Sequence, residues 1–580
     1  MGSLTELLSL RAVFPLDVSD DGTTLLVGCD EPGTTQLYLL EQGALRQLTD
    51  FEEPVDGKLL PDGRVLLSMD AAGNERAQLY LLEDDREPEP LVVDPDFIHW
   101  TPQLSRDGTL LAYASNRGNG RDFDVYVREL ATGEERRVFG GGWCEVESFS
   151  PDGRLVAVTR STELSGDNEL WLVDVASGAA TEVLPHEDAA HVGPPAWIDG
   201  SHFFVATDVG GDVAAILRET GETVLEGEWE LSCWTDPSGR VLLVEANEDG
   251  FSRLDLRDAE SLELLAEVPL PGRGVVEHPV FSEDGLRLWF AFSSATRPSD
   301  VWSWDGRELR QLTDAGAPAG LREPELHRYE SFDGLSVPVY LWEPDGEAPF
   351  PVVVTVHGGP EWQYRPGWLA SFTPLTQHLV AQGYAVAAPN VRGSAGYGRR
   401  YEHLDDGRLR LDSVEDLRAL HQWLSARPRI DGSRAVLYGR SYGGYMVLAG
   451  LAFQPELWAA GIESVGISNL VTFLENTSEW RRRVREREYG FLDRDREFLV
   501  EASPLTHVDR MRAPLFVQHG ANDLRVPLSE TEQIHRVLTG KGIRCDLLVH
   551  EDEGHAIGKL DNRVETFERA VAFLADVLRG

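Results

Sequence analysis

Residues Phe149–Thr159 read FSPDGRLVAVT, a turn rich in serine, proline, aspartate and glycine that runs into a stretch of branched apolar residues. Asp-Gly ahead of such a stretch is a hairpin signal, because glycine takes φ > 0 without steric cost. One hairpin leaves the fold open, but this one recurs. LDVSDDGTTLLVG, LLPDGRVLLSM, LSRDGTLLAYAS, WIDGSHFFVAT, WTDPSGRVLLVE and FSEDGLRLWFAF repeat it, with turn glycines at Gly22, Gly63, Gly108, Gly153, Gly200, Gly239 and Gly285. Successive spacings of 41, 45, 45, 47, 39 and 46 residues are too even for an irregular series of hairpins. Most repeats continue into a second strand-like run and another turn, as in DVYVRELATGEERRV. About four strands per unit, at a period of about 40–50 residues, is the signature of a β-propeller. Seven units predict seven blades.

The pattern changes after LRQLTDAGAPAG, whose glycines and proline mark a hinge-like segment near Ala315–Gly320. Beyond it the apolar runs PVVVTV (351–356), YAVAA (384–388), RAVLY (434–438), APLFVQ (513–518) and CDLLV (545–549) alternate with helical stretches such as SVEDLRALHQWLSAR and SETEQIHRVLTGK. That alternation predicts a parallel sheet with helices on both faces. At 580 residues the chain is too long for one simple core. It divides into a propeller over 13–318 and a second domain over 319–580.

Composition narrows the function classes. Hydrophobic residues at 42% and charged residues at 26% are those of a folded, soluble chain. A net charge of -45 repels phosphate backbones, which argues against nucleic acid as a partner. Cys29, Cys144, Cys233 and Cys545 are scattered and form no CxxC pair, which suits a reducing compartment. The N-terminus shows no signal-peptide pattern, and no apolar run approaches the 18 or so residues of a membrane helix. The expected location is the cytoplasm, with no membrane partner.

The chemistry lies in LYGRSYGGYM (437–446). RAVLY reads as a buried strand and YMVLAGLAF as an apolar helix, so Ser441 stands where strand passes into helix, between Gly439 and Gly443. This is the setting of a nucleophile elbow in an α/β-hydrolase domain. A serine hydroxyl needs a base, and the base an orienting acid. APLFVQHGAND places Asp523 just past one strand, and CDLLVHEDEGH places His555 just past the next. The order Ser441, Asp523, His555 fits this fold, with Glu551, Asp552 and Glu553 too close to the histidine in sequence to orient it easily. PVVVTV leads into His357-Gly358-Gly359-Pro360, where the Gly359 N–H joins that of Tyr442 as a candidate oxyanion hole. A loop-ordering role is expected of His357, and NVRGSAGYG (390–398) is expected beside the site. HEDEGH is not a helical zinc box, since His550 and His555 are five apart rather than four. No nucleotide motif is present, and no metal or cofactor is expected.

A seven-bladed propeller followed by GRSYGG, HGGP, GANDLRVP and DEGH resembles the prolyl oligopeptidase family of serine peptidases. Within it the chain looks most like the acylaminoacyl peptidases, which release an N-acylated residue from short peptides. The resemblance spans nearly the whole chain. It implies that residues 1–12 hold a short helix (Leu4–Leu10) packed on the hydrolase domain, and that the propeller admits only short peptides. It also implies that Arg525, two past the acid, lies near the substrate. GRLRLDSVEDL departs from a tryptophan-glycine pattern that many relatives carry at this place.

Specificity is less directly written. SEWRRRVREREYG (478–490) carries Arg481, Arg482, Arg483, Arg485 and Arg487 in an otherwise acidic chain. One reading is a solvated or propeller-facing salt-bridge helix. The other has Arg482 and Arg485 gripping a substrate C-terminal carboxylate, as in a carboxypeptidase. A dipeptidyl peptidase would need acids for a free amine, for which Glu145/Glu147 or Glu52/Glu53 are available. Esterase action, or a propeller that only binds a partner, completes the set. Both domain surfaces are open to self-association.

Overall fold

The computed structural model describes residues 2–83 and 86–578; Met1 and residues 579–580, at the ends of the expected first and last segments, lie outside it. Seven four-stranded antiparallel sheets, each of consecutive strands, form the propeller. The first blade runs from Val13–Val18 to Ala44–Gln47 and the last from Val275–Phe281 to Leu309–Gln311. No strand is shared between these two blades. Their seam is apolar instead, with Val13, Leu25, Val27 and Tyr38 packed against Trp289 and Val301.

The repeat has a local cause. In the fourth blade Ser150 Oγ donates to Asp152 Oδ1 (2.7 Å) and accepts from Leu155 N–H (3.0 Å), while Arg154 N–H donates to the same carboxylate (3.1 Å). Ser105/Asp107 and Ser282/Asp284 repeat that arrangement. Six of the seven turn glycines have φ between 66° and 89°. Gly200 is the exception and is small for another reason: a Cβ there would lie 2.7 Å from Asp152 of the preceding blade.

The first strands of the blades line a central cavity of about 920 Å³. At the face carrying the Ser-x-Asp-Gly turns, Arg106 of the third blade donates to the Pro237 carbonyl of the sixth (3.0 Å) and to Glu283 of the seventh. One side chain thus reaches across the channel.

The second domain is an eight-stranded sheet in the order Glu325–Glu330, Ser336–Trp342, Ala385–Pro389, Phe350–Val356, Ile430–Arg440, Ala460–Ser464, Leu515–Gly520, Cys545–His550. The sheet is mixed rather than wholly parallel, because the first two strands pair antiparallel. They and Ala460–Ser464 were not anticipated from the sequence. Chain order reverses on either side of Phe350–Val356, so a crevice opens at the carboxyl ends of that strand and Ile430–Arg440. HGGP leaves the first of these strands and Ser441 the second.

Leu4 and Leu8 of the helix Leu4–Leu8 pack with Leu375, Leu379 and Leu574 of the hydrolase domain. Where the chain passes from the propeller into the hydrolase, Ala315 N–H bonds to Asp300 in the propeller, and Arg322 N–H to Gln377 in the hydrolase. Among the described residues no helix is long and apolar enough to cross a membrane.

Candidate active site

Ser441 has φ 60° and ψ −118°, a conformation that L-residues enter only when the surroundings over-determine it. Its N–H donates to the Ser464 carbonyl (2.9 Å), and its own carbonyl accepts from Tyr445 N–H at the start of the helix Tyr442–Phe453 (3.0 Å). The glycines make the turn sterically feasible. A Cβ on Gly443 would sit 2.1 Å from the Val356 carbonyl oxygen, and one on Gly439 would sit 2.3 Å from that of Gly443. The elbow is therefore wedged against the strand that leads into HGGP.

The Tyr442 side chain points into the core, where its hydroxyl donates to Asp405 and lies against the Ser413 hydroxyl (2.9 Å each). Its backbone N–H remains at the free helix N-terminus beside Ser441. Gly358 abuts the elbow, since a Cβ on it would lie 3.5 Å from Ser441 Cβ, and Gly359 follows with φ 125°. Arg485 donates to the Gly359 carbonyl (3.1 Å) and pairs with Glu361 (3.2 Å), which fixes this loop from the side. His357 contacts the Gly358 carbonyl (2.7 Å) and the Ser394 hydroxyl (2.8 Å). It ties HGGP to the 390–398 loop.

His555 Nδ1–H donates to Asp523 Oδ2 (2.8 Å). A carboxylate can only accept here, so Nε2 carries the lone pair of the neutral ring. The other Asp523 oxygen accepts from Arg525 and Val526 N–H (2.7 and 2.9 Å). Burial would raise the Asp523 carboxyl, but His555, His519 and the Val526 N–H outweigh it and hold it below the usual range. Burial pushes His555 down to about 4; Asp523 opposes this, and Arg440 and Arg525 add to it. The imidazole is thus a neutral base at pH 7. The Ser441 hydroxyl makes no hydrogen bond among the described residues; such contacts often tighten only when substrate binds.

Glu553 is spent on its own loop, accepting from Gly558 and Lys559 N–H (2.9 Å each), and Asp552 holds Lys559 and Asn562. Neither orients His555. His550 turns to Thr566 (2.8 Å). Asp405, Asp406 and Glu488 lie close enough to share an ion. The Arg410 guanidinium already bridges Asp405 and Glu488, which fills that position with the chain's own charge.

Two features were missed in the sequence. Arg440 donates to the His555 carbonyl (2.7 Å from Nη2), clamping the base loop onto the elbow strand. The propeller loop 70–75 presses on both catalytic loops: Asn522 donates to the Ala72 carbonyl (3.1 Å), and Gly73 abuts Gly554. Arg525 pairs with Glu75 (2.6 Å) in the same loop. Glu75 has φ 55°, and its second carboxylate oxygen is buried without a hydrogen-bond partner.

Arg482 donates to the carbonyls of Leu474 and Glu475 at the end of the preceding helix (2.6 and 2.8 Å), which takes up its Nε and one Nη within the hydrolase domain. Arg485 likewise buttresses the Gly359 loop. Glu145 and Glu147 accept from Trp143 and Thr159 (2.8 and 2.6 Å), and Glu53 pairs with Lys559 (3.4 Å).

Two family descriptions match the chain: the prolyl oligopeptidase family over residues 370–580, and the prolyl oligopeptidase N-terminal beta-propeller domain over 61–308. The chain belongs to the prolyl oligopeptidase family. Relatives within it carry several names. A dipeptidyl aminopeptidase BIII of Pseudoxanthomonas mexicana is 29% identical over 435 residues, 71% of this chain and 56% of that protein. The acylamino-acid-releasing enzyme of Homo sapiens is 25% identical over 295 residues, 50% of this chain and 38% of that protein. The chain spans about half the length of the curated relatives it matches. Its fold matches that of a Mycobacterium tuberculosis puromycin-hydrolyzing peptidase with a TM-score of 0.86 at 22% identity, over 100% of this chain and 96% of that one.

Proposed function

We propose that this member of the prolyl oligopeptidase family is a serine peptidase that hydrolyses short peptides through an acyl-enzyme and releases an N-acylated residue. The observation that carries the mechanism is the hydrogen bond from His555 Nδ1–H to buried Asp523, beside a serine held in an elbow. His555 Nε2 takes the Ser441 proton as Oγ attacks the scissile carbonyl. The Gly359 and Tyr442 N–H groups receive the developing oxyanion, and the imidazolium returns the proton to the leaving amine. Water repeats the sequence on the ester.

Short substrates are supported by the docking of the domains. Every blade reaches the hydrolase through a loop or strand end, for example Gly33, Ala72, Trp100, Ser165, Asp212, Glu245 and Ala295. An acylated N-terminus is supported by charge, because the carboxylates Glu75 and Glu361 beside the site each hold an arginine. The unpartnered oxygen of Glu75 favours a second reading, a free amine bound there as in a dipeptidyl peptidase. Four buried, free cysteines suit action in the cytoplasm.

A peptide assayed as its acetylated and free-amine twins decides between them. Faster turnover of the acetylated twin is expected. Preference for the free amine by about tenfold or more, the scale of one charge-assisted contact, would establish the second reading instead.

A further inference from the structure

The helix Glu479–Tyr489 runs between the catalytic crevice and the propeller, and its basic residues are used unequally. Trp480 enters an aromatic cluster with Trp143, Trp100 and Phe123 at ring distances of 5.3–6.1 Å, which pins the helix to the third and fourth blades. Arg482 and Arg485 are committed to the carbonyls described above. Arg481 differs. Among the described residues its guanidinium has neither an ion pair nor a hydrogen bond, only the face of its neighbour Trp480 at 5.9 Å.

The groups that act on it lie on both flanks of the elbow. Arg485 and Glu361 belong with the Gly359 loop; Arg525 and Glu75 belong with the Asp523 loop. Both acids are already paired, so they do not neutralise Arg481. Burial first, then the like charges of Arg485 and Arg525, hold its pKa well below the usual arginine range. A half-buried guanidinium without an acid is left to water alone, and an anion that reaches it gains a charge-assisted contact. Arg481 lies one turn before Arg485, whose guanidinium touches the Gly359 carbonyl, and three residues after Ser478, whose hydroxyl donates to the Leu524 carbonyl (2.9 Å), so in a chain of net charge -45 this positive charge stands between the oxyanion loop and the acid loop.

We infer that Arg481 anchors a carboxylate carried by the peptide substrate, through the paired N–H donors that match a carboxylate fork. This rests on the peptidase reading above. The carboxylate has two sources, the free C-terminus of a short peptide or an Asp or Glu side chain within it.

The test uses three acetylated peptides of one sequence: with a free C-terminus, with the C-terminus amidated, and amidated with one residue changed to Glu. Each is assayed with wild type, Arg481→Ala and Arg481→Lys. The expected result is that wild type favours a carboxylate-bearing peptide over its amide twin in kcat/KM by about tenfold or more, mainly through KM. Arg481→Ala collapses the ratio to about one, and Arg481→Lys restores part of it. Which peptide loses its advantage tells whether terminus or side chain is held. An equal loss on all three peptides, or an unchanged ratio, overturns the inference. Calorimetry on Ser441→Ala separates it from the peptidase reading. Tighter binding of the carboxylate peptide that Arg481→Ala abolishes upholds the anchor even if wild type cleaves nothing, which would overturn the peptidase reading alone. Equal binding of all peptides overturns the anchor.

Discussion

At the scale of single residues, the electrostatics of His555 set a pH profile. Its ring is pushed down to about 4 from 6.5, so it loses its basic lone pair only in acid. The acidic limb of kcat/KM is therefore expected below pH 6, displaced towards 4, and a limb at or above 6.5 would contradict this environment for the base. Stability follows with a defined sign. His99 and His357 are likewise held to about 4 by burial, so the unfolded chain binds their protons first. Their contribution is complete above about 6.5 and is lost as pH falls from there towards 4; the buried acids Glu402 and Glu463, held up to about 8, act with the opposite sign, so the loss is read as the difference between wild type and His99→Phe in urea titrations at pH 7 and pH 5. Ser441, Asp523, His555 and the two candidate oxyanion donors were legible because each follows a strand in its own motif. Arg440 was not, since its partner is a carbonyl 115 residues away. The carbonyl partners of Arg482 were not legible either, because a sequence does not show which carbonyls a helix end presents to its neighbour.

At the scale of elements, the acid and base loops are held by a propeller loop as much as by their own sheet. A Cβ on Gly554 would lie 1.8 Å from the Gly73 carbonyl oxygen. Gly554→Ala must therefore move the His555 loop or the 70–75 loop. The expected outcome is a loss of about 10² in kcat/KM, the cost of roughly 1 Å of misplacement, with a melting temperature near that of wild type. Full activity in this variant would mean that the contact plays no part in placing His555. Four of the five anticipated strands of the hydrolase lie within one or two residues of their observed positions, and the fifth, anticipated at 434–438, begins four residues earlier as Ile430–Arg440. Their apolar runs are long because helices cover both faces. Ala460–Ser464 escaped notice since Gly461 and Glu463 interrupt its apolar pattern, although Glu463 is buried and accepts from Gly466 N–H (2.6 Å).

At the scale of the whole molecule, the propeller closes without a shared strand among the described residues, on an apolar seam and a hydrogen bond from Ser299 Oγ to the Val13 carbonyl (3.2 Å). Trp289, 3% exposed, fills the seam between the seventh and first blades. Trp289→Ala is expected to cost about 3–5 kcal/mol, as for other large-to-small core changes, measured by denaturant unfolding with the propeller melting first. A change under about 1 kcal/mol would show that the seam is held elsewhere. The number of blades could be read from the Ser-x-Asp-Gly repeat because each turn is built from its own residues. How the ring meets the hydrolase could not. That depends on pairs such as Glu75 with Arg525, 450 residues apart in the chain, and on the docking of Trp480 into the third and fourth blades.

The most direct measurement is to label the protein with a fluorophosphonate and map the adduct by peptide mass spectrometry. One equivalent is expected on Ser441, with peptidase activity lost in proportion. Asp523→Asn should slow labelling by about 10⁴, the usual effect of disabling the orienting acid. Turnover that persists in Ser441→Ala, or an adduct on another residue that tracks the loss of activity, would contradict Ser441 as the nucleophile.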